Sequence, residues 1–118
     1  MAMQHYTGGC QCGAVRYEVD AELDSTITCN CSRCRRLGSI LTFSPASAFK
    51  LLKGDDAQTE YTFNKQVISH LFCKTCGIQS FARGQMPDGT KMTAINVRCL
   101  DDVDVRTLSP ELVNGKDF

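Results

Sequence analysis

The chain has 118 residues, 42% of them hydrophobic and 8% aromatic with no Trp, a composition that fits a small globular fold with a modest core and excludes a disordered or fibrous chain. Lys and Arg number 13 and Asp and Glu 13, so the formal net charge is zero and the pI about 6.7, and the accumulated positive charge on which non-specific nucleic-acid binding rests is missing. No apolar run approaches the ~20 residues that cross a bilayer, and residues 1–19 show no apolar stretch behind a basic start; a reducing, cytoplasmic setting without membrane association is expected.

The elements read as short strands separated by turns. Val15, Tyr17 and Val19 alternate with Arg16 and Glu18, which predicts a strand with one buried and one wet face. Residues 25–29 are a second β-rich stretch. Residues 32–37 predict one helical turn with Ser32 as N-cap and Gly38 as terminator. Residues 40–43 predict a strand, and residues 44–49 a second helical turn with Pro45 at its start. In residues 58–63, Thr59, Tyr61 and Phe63 alternate with polar neighbours. Residues 67–72 and 78–82 read as the two arms of a hairpin, residues 92–97 as the last strand, and residues 109–113 as a short C-terminal helix. The expected fold is mainly β, with short antiparallel strands and small helical turns, over one domain spanning residues 1–118. A core this thin needs staples.

Eight cysteines supply them: Cys10, Cys12, Cys29, Cys31, Cys34, Cys73, Cys76 and Cys99. Seven fall in three tight clusters. In a reducing compartment disulfides do not persist, and Cys-x-Cys spacings suit two thiolates converging on one ion, so metal is expected. The economical partition is four plus three: Cys10, Cys12, Cys73 and Cys76 in one site, Cys29, Cys31 and Cys34 in the other. Structural zinc takes four protein ligands, whereas catalytic zinc takes three and keeps a position open. The two pairs each end in glycine, Gly13 and Gly77, which lets the chain turn and aim N–H groups at sulfur. The triplet instead lies among Arg33, Arg35 and Arg36, whose charge would offset the thiolates and attract an anion.

A purely structural pair of sites, with the triplet completed by Cys99 or His70, is the plain alternative, and iron can replace zinc at four thiolates. Otherwise Cys99 reads as a small buried residue and His70 as a rim residue. His5 carries no pattern, and residues 101–104 read as a solvated turn.

The segments Gly8-Gly9-Cys10-Gln11-Cys12-Gly13-Ala14-Val15-Arg16-Tyr17, Cys29-Asn30-Cys31-Ser32-Arg33-Cys34-Arg35-Arg36, Phe72-Cys73-Lys74-Thr75-Cys76-Gly77 and Asn96-Val97-Arg98-Cys99-Leu100-Asp101 resemble the glutathione-dependent formaldehyde-activating (GFA) family, which shares its domain with centromere protein V. The resemblance implies an Mss4-like β-tent and two zinc ions per chain. It also implies a structural zinc at Cys10, Cys12, Cys73 and Cys76 and a catalytic-type zinc at Cys29, Cys31 and Cys34. The activity it implies is that of a carbon–sulfur lyase joining glutathione to formaldehyde or a related small aldehyde, S-(hydroxymethyl)glutathione being the product. Asn30 departs from the family pattern, which often places His there. Arg33, Arg35 and Arg36 are candidate contacts for an anionic thiol. A non-catalytic binding module or a glutathione carrier is the competing expectation.

Overall fold

A computed structural model describes residues 3–62 and 68–114. The alternation at residues 15–19 builds β2 (Arg16–Ala21), in which Tyr17, Val19 and Ala21 point inward while Arg16 and Glu18 keep partial access to water. It pairs antiparallel with β1 (Gln4–Gly9) on one side and β5 (Phe49–Lys53) on the other, giving a three-stranded sheet.

The second sheet has seven strands. In spatial order they are β10 (Glu111–Val113), β3 (Ile27–Cys29), β4 (Leu41–Pro45), β9 (Lys91–Asn96), β8 (Gln79–Gln85), β7 (Ser69–Cys73) and β6 (Gln58–Tyr61). The core lies between the sheets. Tyr17 and Phe49 from the small sheet meet Phe81 from the large one, with ring centroids 5.0 Å (Tyr17–Phe49), 5.7 Å (Tyr17–Phe81) and 4.6 Å (Phe49–Phe81) apart. Val15, Val19, Ile95 and Val97 close around this triangle of rings. The mainly β expectation holds. Among the described residues no helix is long and apolar enough to cross a membrane.

Several elements differ from the sequence reading. Residues 109–113 do not form a helix: Glu111–Val113 is a strand running parallel to β3. The Glu111 N–H reaches the Thr26 carbonyl at 3.0 Å and the Asn30 N–H reaches Val113 at 3.2 Å, so the open edge of β3 satisfies backbone groups that a single helical turn would leave unpaired. The helical turn at residues 32–37 is α1 (Cys34–Leu37), ended by Gly38 at φ +74° as expected, but Ser32 does not cap it. The Cys34 N–H turns to the Cys31 sulfur at 3.3 Å, and the Arg35 N–H to the Cys31 carbonyl at 3.1 Å.

The turn after Pro45 shrinks to a 3₁₀ segment (Ala46–Ala48), and Phe49 leaves it to enter β5. Neither β1 nor β5 was apparent in the sequence. In β6 the alternation does not bury Thr59 and Tyr61, because β6 is an edge strand. Phe63 and Val67, assigned to strands from sequence, lie outside the described residues.

Candidate metal centres and the adjoining cleft

Two tight turns build the first sulfur group. After β1, the Cys10 N–H bonds to the Val15 carbonyl at 3.1 Å and the Val15 N–H returns to the Cys10 sulfur at 3.3 Å. Gly13 at φ +84° makes that reversal possible. The β7–β8 hairpin repeats the device. The Cys73 N–H bonds to Ile78 and the Gly77 N–H to Cys73, both at 3.0 Å, with Gly77 at φ +79°. The N–H groups of Thr75 and Cys76 point at the Cys73 sulfur from 3.3 and 3.5 Å.

The packing of the two turns brings the Cys12 sulfur 3.7 Å from that of Cys10 and 3.6 Å from that of Cys73. All four sulfurs of Cys10, Cys12, Cys73 and Cys76 lie within 4.8 Å of one another. The Ile78 N–H, assisted by that of Cys12 against the opposing effect of burial, pulls the Cys76 thiol down to about 6. Four sulfurs converging under inward-pointing N–H dipoles suit a thiophilic cation.

Cys29 ends β3, Cys31 follows in the loop and Cys34 opens α1, and their three sulfurs also lie within 4.8 Å of one another. Burial first, then the sulfurs of Cys31 and Cys29, push the Cys34 thiol up to about 12, a shift that a cation among the three sulfurs would oppose. Among the described residues no further Cys, His, Asp or Glu joins this group.

Neither proposed fourth ligand reaches the triplet. The Cys99 sulfur is half-buried and lies 3.8 Å from the Gln79 carbonyl. His70 is buried on β7, a correction to its reading as a rim residue, with Nδ1 3.4 Å from Gln79 Nε2. Burial, and then the nearby Arg33 charge, hold its imidazole below the ordinary value. Asn30 donates from Nδ2 to Asn114 Oδ1 at 2.8 Å.

The three arginines are not equivalent. Arg33, half-buried between Cys31 and Cys34 in the chain, donates from Nε at 3.1 Å and from a terminal nitrogen at 2.5 Å to Gln79 Oε1. Its guanidinium lies 4.9 Å over the centre of the Tyr61 ring. Arg36 donates to the Ser32 carbonyl at 2.7 Å, and Arg35 is exposed. Ser32, Arg33, Arg36, Leu37 and Tyr61 line a cleft of about 380 Å³.

Tyr61 and Gln79 were not singled out from sequence. Only the β6–β7–β8 register, which sets Tyr61 beside His70 and Gln79 beside Phe72, brings them to the triplet. Residues 101–104 open with the expected turn, but Asp101 is not simply solvated: it accepts from Arg16 and from Thr7 at 2.8 Å, and Asp104 pairs with Arg106 at 3.0 Å. His5 sits 2.9 Å from Asp20 on the surface.

A protein from Rhodobacter sphaeroides, known from its crystal structure, shares this fold with a TM-score of 0.80 and 32% sequence identity, over 90% of this chain and 97% of that one. The model of the family described as glutathione-dependent formaldehyde-activating enzyme matches residues 5–114, which include both sulfur groups and the cleft. The chain belongs to the glutathione-dependent formaldehyde-activating enzyme family.

Proposed function

We propose that this protein is a zinc-dependent enzyme of the carbon–sulfur lyase class, acting on the adduct of glutathione with formaldehyde or a related small aldehyde. The observation that carries the reading is the inequality of the two sulfur groups. One offers four sulfurs, and the other offers three, whose chain neighbours Ser32, Arg33, Arg36 and Leu37 line a cleft together with Tyr61 of β6. Family membership supports the same substrates.

In this reading Cys10, Cys12, Cys73 and Cys76 hold a structural zinc that ties the β1–β2 turn to the β7–β8 hairpin. Cys29, Cys31 and Cys34 hold the second zinc, which supplies a Lewis acid that keeps a small thiol ionised at neutral pH. The protein's own part is placement. The Cys31–Cys34 loop, fixed by α1 and by the Arg33–Gln79 bonds, holds the sulfurs in one arrangement, and the adjoining cleft confines the two reactants.

In the reaction a carbon–sulfur bond forms between the thiol sulfur and the aldehyde carbon. The carbonyl π pair passes to oxygen, which ends with the proton the thiol gave up, and nothing is oxidised or reduced. The test is the rate of hemithioacetal formation or exchange, by stopped flow or NMR, from glutathione and formaldehyde at matched concentrations with and without protein. Acceleration that disappears in Cys31→Ser is expected. If thiol binds without acceleration by any small aldehyde, the protein is a glutathione carrier or binding module instead.

A further inference from the structure

The two arginines that line the cleft next to the triplet in the chain carry charge that no carboxylate among the described residues offsets. Among the described residues, the ion-paired arginines are Arg16 with Asp101 and Arg106 with Asp104; Arg33 and Arg36 have no carboxylate partner within 4.0 Å. They are nevertheless held in place. Gln79 takes two N–H groups of Arg33 on one oxygen, Tyr61 covers a face of the same guanidinium, and the Ser32 carbonyl takes one N–H of Arg36.

Gln79 is itself buried and fixed. Its Nε2 meets His70, and its backbone carbonyl accepts from Asn96 Nδ2 at 3.0 Å. Among the described residues the hydrogen-bond and ring partners of Arg33 and Arg36 are neutral, so the two guanidiniums lining the cleft keep their charge and would favour an anion there. The next cleft, of about 420 Å³ beyond Leu37, is different: it contains Asp101, and its Arg98 is committed to the Gly38 carbonyl at 3.0 Å.

We infer that the cleft of Ser32, Arg33, Arg36, Leu37 and Tyr61 is a carboxylate-recognition site, which selects carboxylate-bearing thiols over neutral ones for the neighbouring triplet. The inference rests on the thiol reading above for the identity of the ligand, and on the oriented guanidiniums for its charge. Arg33 and Arg36 are the binding residues. Tyr61 and Gln79 are positioning residues that keep Arg33 aimed without neutralising it.

Two probes separate the cleft from the metal position. S-methylglutathione keeps both carboxylates of glutathione but has no free thiol, whereas 2-mercaptoethanol has a thiol and no carboxylate. Titration calorimetry on the zinc-loaded protein should show S-methylglutathione binding that weakens about ten- to a hundredfold in Arg36→Ala, the usual effect of losing a charged hydrogen bond. The loss should be larger at low salt than at high salt. Tyr61→Leu should weaken it less, Arg106→Ala should leave it unchanged, and 2-mercaptoethanol binding should be the same in all variants. Gln79→Glu, which places a carboxylate against Arg33, should weaken S-methylglutathione and flatten its salt dependence, whereas a merely structural role for Gln79 would leave the salt dependence intact. Arg36 is exposed, so its variant remains folded if Arg33→Ala does not. If S-methylglutathione fails to bind while 2-mercaptoethanol binds, or if Arg36→Ala weakens both probes equally, the carboxylate site is refuted and the thiol reading stands. If S-methylglutathione binds in the arginine-dependent manner and 2-mercaptoethanol does not bind, the site stands and the thiol reading falls.

Discussion

Exchanging one sulfur in each group asks which of the two holds the fold together. Cys73 is almost fully buried, and its sulfur meets that of Cys12 across 61 residues of chain, whereas Cys29 and Cys34 enclose a loop of only six residues. If each metal group is treated as a cross-link, the loop-closure entropy removed from the unfolded chain is roughly 4 kcal/mol for the long loop and roughly 2 kcal/mol for the short one. For a chain of 118 residues the unfolding entropy near the midpoint converts 1 kcal/mol into about 4 °C, so the difference is about 8 °C. Cys73→Ser should therefore melt at least about 8 °C below Cys31→Ser, and loss of a metal whose binding rivals the whole stability of a small domain pushes it toward unfolding at room temperature. Calorimetry combined with elemental analysis reads both quantities. Two equivalents of zinc are expected in the parent protein and one in Cys31→Ser. If Cys73→Ser is insoluble, Cys12→Ser, which removes an exposed sulfur of the same group, takes its place. Equal losses of Tm in the two groups, or a larger loss in Cys31→Ser, would refute the assignment of the four-sulfur group as the staple.

Two further outcomes follow from the turn geometry and from the surface ion pair. A Cβ at Gly9 would lie 2.1 Å from the Val15 carbonyl oxygen, which accepts the Cys10 N–H, so Gly9→Ala should cost about 1–3 kcal/mol by overpacking and lower the affinity of the four-sulfur group for zinc, read by a melt and a chelator competition. The Arg16 guanidinium, and then the Thr7 hydroxyl, hold the Asp101 carboxyl below its ordinary value. A depressed folded pKa gives stability that is present above the unfolded value of about 3.9 and is lost as pH falls through the folded one, so the Tm gap between the parent and Asp101→Asn should be open at pH 7 and close below about pH 4. Both side chains are over a third exposed, and salt should narrow the gap.

The sulfur groups were legible in the sequence because each ligand pair or triplet is local and carries its own geometry. A glycine after Cys12 or Cys76 announces a turn that aims N–H groups at sulfur, and counting to four and three gives the partition. The strand at residues 15–19 was legible for a similar reason, since its period of two survives in one stretch. What escaped depends on partners far along the chain. β1 carries Gly8 and Gly9, poor strand formers, and becomes a strand by pairing with β2; glycine is needed there because a Cβ at Gly8 would meet the Cys99 carbonyl at 2.7 Å. Residues 111–113 look helical until the free edge of β3 is known. Gln79 and Tyr61 belong to the triplet's surroundings only through sheet register, which no local pattern encodes.

The pairing of β10 with β3 sets an order of assembly. All four cysteines of the first group precede residue 77, but the loop that begins at Cys29 is held by Val113 and Asn114, through the Asn30 backbone and side chain. A chain emerging from the ribosome can close its four-sulfur staple some 35 residues before it can clamp the triplet, a delay of several seconds at ordinary rates of synthesis. The four-sulfur group thus draws only on chain that precedes residue 77, whereas the setting of the triplet draws on both ends of the sequence.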